Sequence, residues 1–175
     1  MTLNIAVLGA VVVVVALIAV YAAITDVPPV PTSRRVKAAM LDLIPADFAG
    51  TVYDLGSGWG TLTVALARRW PKATVIGIER SPVPWLVSKG RLALAGLPNA
   101  RVIRGDMFRR PIQDADLALC YLLSPTMARL SPKLAAELRP GAAVISNTFA
   151  LPGREPATVV EVADMYRSKV YFYRF

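Results

Sequence analysis

Asp54-Leu55-Gly56-Ser57-Gly58-Trp59-Gly60 stands between an apolar run, residues 51–55, and a run with helical spacing, residues 61–70. Strand, glycine turn, helix is the order of a nucleotide-type binding turn. Glycine admits positive φ and lets a ligand approach the backbone with no Cβ in the way. The helix that follows offers unbonded N–H groups to an anionic or polar ligand. The spacing here is G-x-G-x-G. Dinucleotide turns read G-x-G-x-x-G, and phosphate loops continue into Gly-Lys-Ser/Thr, which is absent. Asp54 lies two residues before the first glycine. A carboxylate there is awkward beside a pyrophosphate and suits a cationic amino group.

Outward from the loop, strand-like and helix-like stretches alternate. Strands are predicted over residues 73–78, 100–103, 117–123 and 142–149, and helices over 84–95 and 127–138. Two further strands, 157–163 and 168–173, are close enough to form a terminal antiparallel hairpin. A leading helix over 34–45 carries Val36, Met40, Leu41 and Ile44 at helical spacing, with Thr32 or Ser33 as its cap. The pattern is α/β: a mostly parallel, Rossmann-like sheet with helices on both faces. Two more acids mark strand ends. Glu79 follows Asp54 by 25 residues, where a doubly wound sheet meets a ribose. Asp106 ends the third strand in Gly105-Asp106-Met107-Phe108. Three carboxylates at neighbouring strand ends converge on one crevice. A ligand carrying an amine, a ribose and an adenine amino group satisfies all three.

Composition excludes several chemistries. There is no histidine, so triads, imidazole bases and imidazole metal ligands are out. Cys120 is the single cysteine, inside an apolar strand, where a buried thiol is inert. No metal site is expected. Residues 3–24 are an almost unbroken apolar run, long enough to span a bilayer core as a helix. No Lys or Arg precedes position 34, and Ala19 and Ala22-Ala23 make a poor cleavage site, so the run reads as a retained anchor. Arg34, Arg35 and Lys37 follow it, which places the rest of the chain in the cytoplasm. The expected organisation is an anchor, 1–26, a proline-rich linker, 27–33, and a catalytic domain, 34–175. The net charge of +8 suits an anionic leaflet; nucleic acid and a plain basic surface are the other readings of it.

The loop, Glu79 and Asp106 resemble the motifs of seven-stranded (class I) S-adenosylmethionine-dependent methyltransferases. Several phrases narrow the resemblance: Val30-Pro31-Thr32-Ser33 after the apolar run, Gly77-Ile78-Glu79-Arg80-Ser81-Pro82, Tyr121-Leu122-Leu123-Ser124-Pro125 and Ser146-Asn147-Thr148-Phe149. Together these are similar to membrane-anchored protein-lysine methyltransferases, whose known members modify the adenine nucleotide translocase and the c subunit of ATP synthase. Trp59 departs from the pattern, since many members carry an acidic or small residue there.

The resemblance implies that Asp54, Gly56 and Gly58 bind the methionine part of S-adenosylmethionine, with Ser57 and Gly60 also in the cofactor site. It implies that Glu79 holds the ribose and Asp106 the adenine end, with Arg80 and Met107 also in the cofactor site. Tyr121, Ser124 and Pro125 would face the transferring methyl. The implied reaction is in-line methyl transfer, governed by alignment, to a lysine whose proton is lost through desolvation. The implied partners are the bilayer and a membrane-associated protein substrate, with a bacterial inner membrane favoured over an organelle inner membrane. Two alternatives stay open: a lipid or small apolar acceptor at the membrane, and a non-catalytic subunit of the same fold. Nucleic acid is not the expected partner, because no RNA-recognition motif or Asn-Pro-Pro-type tetrad is present.

Overall fold

A computed structural model describes residues 32–175 and, within the apolar run, positions 4, 5, 7–9, 11–13, 15 and 16. Those ten positions are helical and exposed. The rest of the expected anchor and the linker up to Pro31 lie outside the described residues. Among the described residues, no helix is long and apolar enough to cross a membrane.

The domain opens with α1 (Arg34–Asp42), followed by β1 (Thr51–Leu55), α2 (Thr61–Arg69), β2 (Thr74–Glu79), α3 (Pro82–Ala95) and β3 (Ala100–Arg104). Then come β4 (Leu117–Cys120), α4 (Ser124–Glu137), β5 (Ala143–Asn147), β6 (Thr158–Glu161) and β7 (Lys169–Arg174). The seven strands form one sheet in the order β3-β2-β1-β4-β5-β7-β6. β1 to β5 are parallel; β7 runs antiparallel to β5 and to β6.

The strands carry apolar residues at nearly every position because both faces of the sheet are covered. Alternation along each strand sends Val52, Leu117, Leu119 and Ile145 to one face, with Val36, Met40, Leu66 and Trp70 of the leading helices. It sends Tyr53, Leu55, Ala118, Cys120 and Val144 to the other, with Met127, Leu130 and Leu134 of α4. Trp70 is fully buried, and its indole N–H donates to the Pro45 carbonyl at 2.8 Å.

Several boundaries differ from expectation, each for a local reason. α1 stops at Asp42 rather than 45, since the residue before Pro45 is pushed out of the helical region. Its cap is Ser33, whose hydroxyl accepts from Val36 N–H at 3.3 Å. α3 begins at Pro82, two residues early, with proline in its first turn where no N–H is needed. β4 ends at Cys120 rather than 123, and α4 starts at Ser124 rather than 127. Pro125 in the opening turn extends that helix backward. β5 ends at Asn147 because Thr148 takes a left-handed φ of 67°.

Register decides what the fold offers for chemistry. Leu55 is level with Ile78 and Cys120, Ile78 with Ile103, and Cys120 with Ser146. The next residue of each strand therefore falls in one row along the carboxyl edge: Gly56, Glu79, Arg104, Tyr121 and Asn147.

Candidate active site

The glycine loop rises from the middle of that row. Gly56, Gly58 and Gly60 all have positive φ, at 75°, 52° and 74°. They are needed for different reasons. A Cβ on Gly60 would sit 2.2 Å from the Ser88 hydroxyl of α3, and one on Gly56 would sit 2.8 Å from Leu122 Cδ2. A Cβ on Gly58 would approach only the Gly56 carbonyl, at 4.0 Å. Gly58 thus leaves its outer side open, a cradle where a ligand can lie against backbone.

The loop is tied down from below. Gly56 and Ser57 N–H both donate to the Ile78 carbonyl at 3.0 Å. Glu79 uses both carboxylate oxygens: Oε2 accepts from Gly58 N–H at 2.8 Å and Oε1 from Ser81 N–H at 2.7 Å. Each oxygen keeps a further lone pair for a ligand hydroxyl. Asp54 is buried and accepts from the Thr63 hydroxyl at 2.6 Å, joining the end of β1 to the first turn of α2. Burial pushes its carboxyl up to about 6; the Thr63 hydrogen bond opposes this and the nearby Glu79 adds to it. A buried carboxylate held at such a cost gains most from a cationic ligand group.

Ser57 lies beneath the loop, and its buried hydroxyl has no hydrogen-bond partner among the described residues. It sits over Gly77, where a Cβ would meet Ser57 Oγ at 2.9 Å and Thr63 Oγ1 at 3.1 Å. Asp106 Oδ1 accepts from Phe108 N–H at 2.9 Å. With Arg80, Arg104, Gly105 and Arg109 it lines an open cleft of about 460 Å³. Met107 is half-buried beside it, packed on the second core face.

Across the loop stands Tyr121. Its ring stacks on Phe149, with centroids 6.4 Å apart and planes 21° from parallel. Phe149 is aimed by a strained turn. Thr148 has φ 67°, and Phe149 N–H donates back to the Asn147 carbonyl at 2.8 Å. A left-handed β-branched residue is uncommon and concentrates at functional sites. Ser124 and Pro125 occupy the first turn of α4 and face solvent, apart from Tyr121's half-buried position. Cys120 is fully buried, and burial raises its thiol to about 12, so it is no nucleophile. Among the described residues, no group of three or more Cys, Asp or Glu could hold a metal ion.

The expected loop, Glu79, Asp106 and Tyr121 all lie along one edge. Thr63, Gly77, Ser81, Ser88, Arg104, Arg109 and Phe149 join them without having been singled out as site residues. Thr63 had a signal: nine residues after Asp54, it falls in the first turn of the helix that follows the loop. Ser88 had none, because only the packing of α3 against the loop brings it near Gly60.

A family profile described as the ANTKMT methyltransferase domain matches residues 54–158. The chain belongs to the ANTKMT methyltransferase family. It is 31% identical over 147 residues to a protein-lysine N-methyltransferase of Saccharolobus islandicus, covering 81% of this chain and 88% of that one. It is 34% identical over 138 residues to the adenine nucleotide translocase lysine N-methyltransferase of Mus musculus, covering 77% of this chain and 58% of the mouse protein. A crystal structure of an RNA methyltransferase from Salinibacter ruber, bound to S-adenosyl-L-homocysteine, superposes with a TM-score of 0.76. That protein is 32% identical, over 83% of this chain and 93% of its own. The chain is an S-adenosylmethionine-dependent methyltransferase of the seven-stranded class, and S-adenosylmethionine is its cofactor. The open face of Gly58 and the acids at three adjacent strand ends fit that cofactor.

Proposed function

We propose that this methyltransferase N-methylates a lysine of a membrane-associated protein. The observation that carries the reading is the stacked pair Tyr121 and Phe149 beside the glycine loop, the second ring aimed by the strained turn at Thr148. S-adenosylmethionine supplies a methyl group already activated on a sulfonium. What remains for the chain is to align the acceptor and favour its neutral form. An aromatic wall does both for a lysine: it holds the alkyl stem and keeps water from the amine, which lowers the amine's pKa. Two aromatic faces also attract the amine while it is still cationic. In this reading the Tyr121 hydroxyl orients the neutral amine. The names of the archaeal and mouse relatives support a lysine acceptor.

In this reading Asp54 and the glycine loop hold the methionine end, Ser57 bracing the loop from beneath. Glu79 and Arg80 hold the ribose, and Asp106 and Met107 the adenine. Ser124 and Pro125 border the acceptor's entrance. The apolar run, residues 3–24, anchors the chain in a bacterial inner membrane with the domain on the cytoplasmic side.

A second reading is methylation of RNA. It is favoured by the Salinibacter relative and by the three arginines of the Asp106 cleft. Incubating the full chain with bacterial membranes, ribosomal RNA and S-adenosylmethionine labelled in the methyl group decides between them. Label recovered as methyl-lysine after protein hydrolysis is the expected result. Label confined to RNA or to the lipid extract would overturn the proposal.

A further inference from the structure

The tail of the sheet carries an exposed feature that methyl transfer does not use. Between β6 and β7 the chain turns through Val162-Ala163-Asp164-Met165-Tyr166-Arg167-Ser168. Asp164 locks the turn. Its Oδ1 accepts from Tyr166 N–H at 3.2 Å and from Ser168 N–H at 2.9 Å, and its Oδ2 accepts from the Ser168 hydroxyl at 2.8 Å. Val162 N–H closes the base on the Ser168 carbonyl at 2.8 Å, and the Val162 side chain is buried in the core. Arg167 takes a left-handed φ of 49° and pairs with Glu161. Two large apolar side chains stand at the tip of this braced turn: Met165, 84% exposed, and Tyr166, 80% exposed.

Topology fixes where the tip points. β7 is antiparallel to β5, with Asn147 level with Val170, and Glu161 of β6 is level with Lys169. The tip therefore extends beyond the carboxyl edge of the parallel strands, the edge that carries the glycine loop, Glu79 and Tyr121. The chain enters the domain at that edge too. Arg35, just after the Ser33 cap, donates from its guanidinium to the Ala163 carbonyl in the same turn. The described domain thus begins beside the turn that carries Met165 and Tyr166.

The other end of the edge is cationic. Arg104 ends β3 and Arg109 follows in the loop after it, and among the described residues neither forms an ion pair. β3 and β6 are the outermost of the seven strands. At about 4.8 Å per strand, β3 and the β6–β7 turn are about 26 Å apart, with the cofactor loop between them. An exposed Tyr and Met at one end of the edge and arginines at the other match an anionic bilayer surface, where amphipathic rings settle at headgroup depth and arginines meet lipid phosphates.

We propose that the β6–β7 tip is a second bilayer contact that turns the carboxyl edge, and so the methyl-transfer site, toward the anionic lipid surface. The inference rests on reading the apolar run as an anchor. It explains how a lysine close to the membrane plane could reach a site on so compact a domain.

The test uses the full chain reconstituted into protein-free vesicles of phosphatidylcholine and phosphatidylglycerol. Met165→Cys, Tyr166→Cys and Lys72→Cys are each given a nitroxide label. Lys72 is exposed just before β2, on the opposite edge, and buried Cys120 takes no label. Relaxation by lipid-soluble oxygen is compared with relaxation by a water-soluble nickel chelate. The expected oxygen-to-nickel ratio at 165 or 166 is at least fivefold that at 72. Two labelled positions guard against one that disturbs the turn. If the chain resists alkaline extraction but both tip labels match position 72, the orientation is overturned and the anchor stands. If alkali extracts the chain, anchor and orientation fall together.

Discussion

Substituting Asp54 by Asn leaves the side chain's size unchanged and removes a charge from the base of the glycine loop. In the folded chain burial holds this carboxyl at about 6 against an ordinary value of 3.8. The folded state thus binds the proton more tightly than the unfolded chain does. The sign follows: stability is fullest below the unfolded value and is lost as pH rises through about 6. At about 1.36 kcal/mol per unit, ionising Asp54 costs the folded state about 3 kcal/mol at neutral pH, most of which accrues between pH 4 and pH 7.5. Asp54 is only 3% exposed, so solvent screening takes little from that figure. The amide has its own fixed costs, chiefly an N–H pair seeking acceptors, but they do not vary with pH. The informative quantity is the wild-type minus variant difference at the two pH values. Melting of the full chain in detergent, followed by its tryptophan fluorescence, to which fully buried Trp70 contributes, measures it. Without cofactor, the wild type should lose about 8 °C relative to Asp54→Asn on going from the lower to the higher pH. At the higher pH the variant should bind S-adenosylmethionine at least tenfold more weakly, since the buried charge is what the cofactor's amino group meets. Equal pH dependence in the two proteins would refute the buried-carboxylate reasoning. Equal cofactor affinity would refute Asp54's place in the site.

Gly60→Ala drives a Cβ to within 2.2 Å of Ser88 and should lower the melting temperature markedly. Gly58→Ala meets open space and should cost only the left-handed penalty of about 1–2 kcal/mol, yet weaken cofactor binding by calorimetry more than it weakens the fold. Glu79→Gln places an amide N–H against either Gly58 or Ser81 N–H. It should cost about 1–3 kcal/mol in thermal melts and weaken S-adenosylmethionine binding at least tenfold. Tyr121→Ala and Phe149→Ala should each lower kcat with the acceptor at least tenfold and leave cofactor affinity within about twofold, because the stacked pair lies on the acceptor side. Tyr173→Phe strands the Leu151 N–H, which now donates to the Tyr173 hydroxyl at 2.8 Å. It should cost about 1–3 kcal/mol of stability by thermal melt and leave kcat unchanged.

What the sequence determined by itself is what depends on local order. A strand, three glycines and a helix dictate a ligand-binding turn, since residues without a Cβ take the φ of 75°, 52° and 74° found at these alternate positions at little cost. The acids Glu79 and Asp106 were legible because each ends an apolar run, and in a parallel sheet every such end lies on one edge. Boundaries were less legible where proline acted: Pro82 and Pro125 extended two helices backward into what had read as loop. Only the tertiary structure decided which distant residues meet. The strand order puts Tyr121 beside the glycine loop and Phe149 on Tyr121, the packing of α3 brings Ser88 against Gly60, and the antiparallel return of β7 sets Met165 and Tyr166 at the catalytic edge. The reason is physical. Local sequence sets the dihedral angles of a turn, whereas contacts between residues far apart in the chain are chosen by how two covered faces of one sheet bury their apolar side chains together.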